Sequence, residues 1–429
     1  MSKAMKHELA LFHPGATERA VKQVKWINYR PNTQINNSGP IEFSINGTSS
    51  DYVLLSKTRL HVKVKLTRKD GEEFKETDDV ALVNLSLHSL FRQVDVSLNQ
   101  TLITSTVGVN YPYKALIDCL LSYDFSVKDS QLQSEGYYKD IAYFMDSVTG
   151  NSGHIQRGKL TRQGIADYEG ALHVDVAQQE KLILNGVQIV VKLFQSSDPF
   201  RMMTTHGDIY NLEIVDAILK VCHVTVRPSV LVAQDQLLQK TPAVYPMWKS
   251  DIKTYTLPEA IDTFSIDDMY HGHVPARLYI GLTSNKAYSG DFTKNPFNFW
   301  HYFLSRLEFS VEGVSRPTVA FTPNYTPVSE TSTDVLPNGY VHEFLSLFRS
   351  RYPQAEGNFI QRADFPGGYA LYCFDLKSGT GDSLFSTPET GHTRLTAAFK
   401  EPLPHPVTLI AYAIYPSSFK IDHARNVAI

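Results

Sequence analysis

The chain has 429 residues, enough for two domains of ordinary size at roughly 100–200 residues each. Hydrophobic residues make up 42% and charged residues 20%, which indicates a folded globular protein and argues against disorder. The 41 basic and 44 acidic side chains nearly cancel to a formal charge of −3, which argues against a protein that coats nucleic acid by neutralising phosphates.

The cysteines and the N-terminal sequence indicate a reducing compartment. Cys119, Cys222 and Cys373 are widely scattered, which fits neither a disulfide framework nor a metal knuckle. We expect each to be a small buried apolar residue. The N-terminal sequence lacks the apolar run of a signal peptide, and no stretch approaches the roughly 20 apolar residues of a membrane helix. We therefore expect the protein to be made in a reducing compartment, the cytosol or the nucleus.

The first half of the chain is rich in strand patterns. Residues 1–35 are polar and partly basic without a sustained period, and they predict an N-terminal arm that becomes ordered against a neighbour. In Leu85–Asn99, Val94, Val96 and Leu98 alternate with polar residues, the period of two that indicates a strand with one wet face. Further segments read as strands are Gly39–Thr48, Arg59–Leu66, Leu172–Val176, Val187–Leu193 and Ile214–Val226.

One helix and one long excursion interrupt these strands. In Pro112–Leu121, Leu116, Cys119 and Leu120 recur at helical spacing, and the proline suits a first helical turn. Residues 122–170 are rich in Ser, Asp, Gly and Tyr and predict a long surface loop. Loops of that length in compact domains are usually functional or interfacial.

The second half of the chain is also rich in strand patterns. Three prolines between residues 227 and 250 predict a crossing linker, which we place at 236–250, and a short helix is predicted at Glu343–Arg349. The two halves, 36–235 and 251–429, each have room for roughly eight short strands, which favours two antiparallel β-sandwiches. The strands predicted in the second half are Ala276–Leu282, Arg306–Glu312, Tyr369–Phe374, Arg394–Phe399 and Val407–Tyr415.

Four blocks of the sequence resemble the major capsid (hexon) protein of adintoviruses and Maverick/Polinton elements. They follow the family's order over nearly the whole chain, which is more specific than any single motif, and the sequence departs from the family in the polar loops 122–170 and 376–391. The blocks are Gly39–Asp51 with Leu85–Asn99, Asn110–Leu121, Asn285–Phe299 with Phe309–Pro317, and Gly391–Leu395 through Leu403–Ile410 to Ile421–Asp422.

The resemblance implies an all-β protein with a double jelly roll: two fused eight-stranded antiparallel β-sandwich barrels with short helical inserts. It also implies a homotrimeric, pseudo-hexagonal capsomer, of the lineage of adenovirus-like and tectivirus-like capsids. Three copies of a two-barrel chain present six similar lobes, so a threefold object can fill a nearly hexagonal lattice site. The implied function is that of a structural major capsid protein that tiles the icosahedral shell of a double-stranded DNA virus.

The resemblance also implies partners and a location. The partners are further copies of the chain, neighbouring capsomers, and penton and minor or cement capsid proteins. The N-terminal arm is expected to face inward, towards an internal membrane or core, and no sequence-specific nucleic acid is expected. The protein is expected in the virion, after synthesis in the host cytosol and assembly in cytosol or nucleus.

The sequence predicts no enzyme, no catalytic residue and no cofactor. It contains no HExxH, CxxC or GxSxG motif and no P-loop. His271 and His273, with Asp267 and Asp268 just upstream, are loosely spaced in a polar segment, and we interpret them as an ordinary loop and not as a metal site.

Two aromatic groups are candidates for an interface. The first is the cluster Phe297, Phe299, Trp300 and Tyr302, which is either a core segment of the second barrel or a contact at a barrel or subunit boundary. The second is Tyr111 and Tyr113 at the start of the predicted helix, which are candidates to line the contact with a neighbouring subunit. These six residues are the predicted subunit or barrel interface.

Other function classes remain open at this point. A jelly-roll receptor-binding or glycan-binding protein would use loops at the barrel ends. A minor (penton-type) capsid protein would normally have one barrel. A cupin-type enzyme would need convergent His and carboxylate ligands on inward-facing strand positions, which the sequence alone does not assemble.

Overall fold

The structure is a computed structural model that describes residues 20–35, 39–75, 77–104, 110–326, 339–348, 357–376 and 389–429. Residues 1–19 of the predicted arm and most of the predicted loop 376–391 lie outside these ranges. Within them, no helix is long and apolar enough to cross a membrane.

The described residues of the first half form ten strands and five helices. Three 3-10 turns, Gln131–Glu135, Asp175–Ala177 and Gly207–Ile209, lie between them. In chain order the elements are β1 (Val21–Tyr29), β2 (Ile41–Ile45), β3 (Asp51–Arg68), β4 (Ala81–Leu82), α1 (Ser86–Ser89), β5 (Phe91–Leu98), β6 (Thr101–Leu102), α2 (Tyr111–Ser122), α3 (Phe125–Lys128), α4 (Ser152–Thr161), β7 (Ile165–Ala171), β8 (Ile189–Gln195), α5 (Asp198–Arg201), β9 (Met202–Met203) and β10 (Tyr210–Val226).

The described part of the second half begins with a helix and continues mostly as strands. Its elements are α6 (Pro228–Leu238), β11 (Ala243–Leu257), β12 (Thr263–Asp267), β13 (His273–Val274), β14 (Arg277–Ser284), α7 (Asn285–Ser289), β15 (Phe299–Trp300), β16 (Leu304–Val311), β17 (Val314–Ser315), α8 (Val341–Ser346), β18 (Gly367–Gly368), β19 (Leu371–Asp375), β20 (Glu389–Thr390), β21 (Thr393–Phe399), β22 (Val407–Ile421) and β23 (Val427–Ala428).

The two halves have the same sheet topology. In the first half the sheets have the orders β1-β10-β3-β7 and β2-β8-β5-β6, and in the second half β11-β22-β14-β19, with β23 added on β22, and β12-β21-β16-β17. All pairs within these sheets are antiparallel. The first and last long strands of each half are neighbours, and each half forms a jelly roll. The chain is a double jelly roll, as predicted.

Each sandwich is stabilised by apolar side chains that alternate with polar ones along the strands, as β5 illustrates. Val94, Val96 and Leu98 are buried, whereas the residues between them are partly exposed. Val94 and Val96 lie opposite Leu193 and Val191 of β8, so apolar side chains pair on the same face. Each such side chain contributes about 1.5–3 kcal/mol when it is fully buried. A one-residue slip would turn this face to water, so the register is fixed by the pattern.

The strand pair β11 and β22 connects the two barrels. It is paired over its full length, from Ala243 opposite Ile421 to Leu257 opposite Val407. Near one end, Tyr245 and Phe419 are stacked with centroids 4.6 Å apart and belong to the core of the first barrel. The other end belongs to the core of the second barrel.

Four sequence predictions are corrected by these elements. Residues 172–174 are irregular and a 3-10 turn follows, although Leu172, Val174 and Val176 are buried, so the predicted strand there is wrong. The excursion 122–170 contains α3, α4 and β7. The predicted linker 236–250 contains the end of α6 and the first half of β11. Part of the predicted arm is β1, which pairs with β10.

Candidate functional site

Helix α2 leaves the first barrel and packs into the second. Ten of its twelve residues are buried, and a helix that is apolar on nearly every side needs neighbours on every side. Tyr111 at its start belongs to the first core, whereas Tyr113, Leu116 and Leu120 belong to the core cluster that contains the second barrel. The helix therefore lies at the boundary between the barrels.

Tyr113 is the centre of the aromatic contacts at this boundary. Its ring centroid lies 6.0 Å from Phe200 of the first half, 5.8 Å from Tyr288, 5.7 Å from Phe297 and 6.4 Å from Phe299 of the second half. These distances lie within the range of favourable aromatic pairs. Tyr113 is fully buried within one chain. Its hydroxyl makes no hydrogen bond to a described residue, and burial raises its pKa well above the ordinary value.

The six predicted interface residues are not equivalent in the structure. Five of them are buried inside the single chain, and Trp300 remains partly exposed. The buried five are Tyr111, Tyr113, Phe297, Phe299 and Tyr302. That these residues contact a second subunit stays a prediction. Trp300 is the one of the six whose side chain is partly exposed and therefore accessible to a second subunit.

Trp300 belongs to an aromatic surface that we call the Trp300 patch, made of Tyr143, Trp300, Tyr302 and Phe303. These residues line one side of a groove with a volume of about 510 Å³. Tyr143 is 45% exposed and packs edge-on against Trp300 at 6.0 Å. Tyr302 and Phe303 have φ angles of 45° and 49°, which aromatic residues rarely adopt. Such conformations concentrate at functional positions.

His301 lies in the same turn and contacts its neighbours there. Its ring stacks on Tyr325 at 4.0 Å and on Trp300 at 4.8 Å, and its Nδ1 accepts a hydrogen bond from the Phe303 backbone amide at 3.0 Å. Burial lowers the pKa of His301 to about 3, so the ring is neutral at physiological pH.

The neutral state of His301 makes the fold sensitive to acid. The unfolded histidine titrates near pH 6.5, so below that pH the unfolded chain binds a proton that the folded chain does not. The stabilisation is complete above pH 6.5 and is lost as the pH falls towards 3. At pH 5 the expected loss is about 2 kcal/mol relative to neutral pH. Urea unfolding of wild type and His301→Asn, which keeps an acceptor near Nδ1 but does not titrate, should show a smaller acid-induced loss in the variant. Equal losses would contradict the assignment.

A second contact between the halves is centred on Asp140. Arg157, fully buried in α4, donates to the Leu82 carbonyl oxygen at 2.8 Å and to Asp140 Oδ1 at 2.7 Å. From the second half, Asn295 Nδ2 donates to Asp140 Oδ2 at 3.1 Å, and the Tyr369 hydroxyl donates to the Asp140 carbonyl oxygen at 2.6 Å. The excursion is thus fixed to the second barrel through one buried acidic residue.

Beside α2 lies a third, charged group of side chains. Lys114 Nζ lies 2.9 Å from Asp118 Oδ2 and 3.1 Å from Asp175 Oδ1. The Tyr412 hydroxyl donates to Asp118 Oδ1 at 2.8 Å, and the Ser250 hydroxyl donates to Asp175 Oδ1 at 2.7 Å. Burial raises the pKa of Asp118, but Lys114 and His173 together outweigh that effect and hold the pKa well below its usual range. These residues join α2 of the first half to β11 and β22.

Next to that group, His88, Glu135 and His173 form what we call the His88 cluster. All three residues are buried. His88 Nε2 lies 3.0 Å and His173 Nε2 3.9 Å from Glu135 Oε2. Burial raises the pKa of Glu135, but the adjacent imidazoles of His173 and His88 lower it to about 2. This cluster could not be predicted from the sequence, because its residues are far apart in the chain and Leu172–Val176 has the pattern of a strand.

The predicted loop histidines do not form such a group. His271 is exposed, and its Nδ1 lies 3.9 Å from Asp268 Oδ2. His273 is exposed as well. Among the described residues, the three side chains that bring potential metal ligands together are those of the His88 cluster. The three cysteines are free and buried, as predicted.

Comparison with known proteins adds one sequence relative and several structural ones. No protein-family model matches the chain. An uncharacterized protein of Caenorhabditis elegans, F54H12.2, is 23% identical over 437 residues, which cover 96% of this chain and 98% of that protein. The alignment therefore spans both barrels.

The similar solved structures come from virus particles. A chain in the cryo-EM structure of the Sputnik virophage has a TM-score of 0.62 at 12% identity, over 100% of this chain and 93% of that one. VP54 of PBCV-1, fitted into a Sputnik reconstruction, has a TM-score of 0.56 at 9% identity, over 97% and 99%. A chain of the PBCV-1 capsid model gives 0.52 at 11% identity, over 97% and 99%. What these chains share with this one, along its whole length, is the double jelly-roll fold.

Proposed function

We propose that this chain is a structural major capsid protein that trimerises into pseudo-hexameric capsomers and tiles the icosahedral shell of a double-stranded DNA virus. The observation that carries the proposal is the duplicated jelly roll, which matches chains of virus particles from end to end. The role is structural and not catalytic. A penton-type protein would normally need one barrel, and this chain has two.

Three copies of such a chain suit a hexagonal lattice. Two barrels with the same strand order present two similar lobes per chain, so a trimer presents six. Contacts between capsomers can be individually weak because many act together in a closed shell. Penton and cement proteins, and an inward-facing N-terminal arm, complete this proposal for the virion.

The finer lineage that we propose is that of the adintoviruses and Maverick/Polinton elements. The four sequence blocks support it. A full-length relative in a nematode also supports it, since such a gene can be an endogenous copy of a viral gene in an animal genome.

We further propose that the Trp300 patch contacts the neighbouring subunit in the trimer. Exposed aromatic side chains in a groove are typical of residues that contribute most to protein association. The backbone conformations at Tyr302 and Phe303 hold the patch in place before any partner binds, which lowers the entropy lost on association.

The first experiment is the native mass of the purified chain, with electron micrographs of the same sample. Three chains of 48.3 kDa make a particle of 144.9 kDa, which should have a hexagonal outline. A stable 48.3 kDa monomer that does not assemble at any concentration would overturn the capsid proposal.

Replacing Trp300 with alanine should weaken the trimer and leave the monomer folded. A central interface aromatic typically contributes 2 kcal/mol or more, so we expect a rise of about 30-fold or more in the dissociation constant. Trp26→Ala is the matched control, because Trp26 is 52% exposed on β1 and lies outside the patch. Sedimentation of both variants measures the effect. Equal trimer stability in Trp300→Ala and wild type would remove the patch from the interface.

A further inference from the structure

The His88 cluster has the geometry of a metal site. One ligand atom from each of His88, Glu135 and His173 lies within 4.8 Å of the other two, and the shortest separations are 3.0 and 3.9 Å. A tetrahedral zinc ion with bonds of about 2.0–2.1 Å holds its ligands roughly 3.3 Å apart. Small side-chain movements therefore suffice to close the three residues around one ion.

The surroundings of the cluster orient its ligands. His88 Nδ1 lies 2.8 Å from the Tyr111 hydroxyl, and His173 Nδ1 lies 3.6 Å from Asp118 Oδ2. In both rings the partner at Nδ1 leaves Nε2 directed at Glu135. A histidine that ligates through one nitrogen and faces a carboxylate or hydroxyl with the other is the usual arrangement at protein zinc sites. The thiol of Cys119, 3.5 Å from His173 Nε2, adds a soft donor beside the site.

The charges around the cluster favour the binding of a cation. Three carboxylates, Glu135, Asp118 and Asp175, lie in this buried region, and Lys114 is the ammonium group that pairs with two of them. Apart from any charge on the histidines, three carboxylates against one ammonium group leave two excess negative charges, which are costly away from water. A divalent ion would neutralise them. Protonation of the histidines is the alternative way to offset these negative charges.

The backbone is shaped for the Glu135 side chain. Gly170 of β7 faces it, and a Cβ at that position would collide with the Glu135 carboxyl group. A cavity of about 60 Å³, lined by Tyr111, Lys114, His173 and Asp175 among others, borders the cluster at His173. A metal site needs an entry path as well as its ligands, and this cavity is the candidate for one.

We propose that His88, Glu135 and His173 bind one divalent metal ion of the zinc class, in a structural site that is independent of the capsid role. The ion joins three segments that are separate in sequence: α1, the 3-10 turn Gln131–Glu135, and the residues after β7. It would fix the beginning and the end of the 122–170 excursion to the first barrel. Two imidazoles and one carboxylate form a donor set that zinc occupies in many proteins.

The test is the metal content of the purified full-length chain. Wild type, treated with chelator and then dialysed against zinc, should retain about one zinc per chain and should unfold at a temperature several degrees above that of the chelated protein. Glu135→Gln, which preserves shape and removes the anionic ligand, should lose at least tenfold in zinc affinity. His271→Gln, at an exposed histidine, should bind zinc as wild type does.

Two results would overturn the site. The first is folded wild-type protein that retains no zinc after loading and shows no shift in its unfolding temperature, in which case protons balance the cluster. The second is Glu135→Gln that binds zinc with wild-type affinity. The wild-type measurement decides the question even where a variant fails to fold.

Discussion

Replacing Arg157 with leucine is expected to lower the free energy of unfolding by about 3–5 kcal/mol. The substitution removes the cationic partner of Asp140 and leaves a carboxylate that is about 1% exposed without its counter-charge. It also leaves the carbonyl oxygens of Leu82 and Tyr138 without the donors that Arg157 supplies to each at 2.8 Å. The loss of these donors to buried acceptors is part of the expected cost.

A surface arginine provides the control for this effect. Arg306 is about half exposed and pairs with Glu308 at 2.7 Å. Exposed ion pairs contribute about 0–1 kcal/mol, so Arg306→Leu should change stability little. Urea unfolding of the two variants and wild type measures the difference. A loss below about 1 kcal/mol for Arg157→Leu would show that the Asp140 contact does not hold the excursion in place.

Replacing Tyr113 with alanine should cost about 3–5 kcal/mol, because it opens a cavity among large aromatic side chains. Tyr113 contacts Phe200 from the first half and Phe297 from the second, so the cavity would lie at the barrel boundary. Tyr113→Phe keeps the ring and removes a buried hydroxyl that has no partner among the described residues. It should therefore be neutral or slightly stabilising.

The pair of variants separates packing from hydrogen bonding. Chemical unfolding of both should show a large loss for alanine and none for phenylalanine. A comparable loss in Tyr113→Phe would mean that the hydroxyl, and not the ring, holds the barrels together at this point.

The sequence predicted those elements whose pattern is local. β5 follows from the alternation of Val94, Val96 and Leu98, and α2 follows from apolar residues at helical spacing. The same rule failed at Leu172–Val176, where the alternating residues are buried by neighbouring segments without a strand ladder. The intervening His173 and Asp175 are buried as well, so the alternation of apolar and polar residues there does not mark a wet face.

The linker prediction failed for a different reason. Pro246 was interpreted as a break, yet it lies within β11, which is an edge strand. Proline is tolerated there because its missing N–H can face away from the partner strand. The His88 cluster could not be predicted either, because its three side chains meet only after α1, the 3-10 turn Gln131–Glu135 and β7 have packed together.

The paired strands β11 and β22 have a consequence for the angle between the two barrels. A flexible peptide between the barrels would leave their mutual angle to be set during assembly. Here fifteen paired residues run from one core into the other, so bending the chain between its lobes would break backbone hydrogen bonds and separate Tyr245 from Phe419. The angle is therefore a property of the folded monomer and is set before any association.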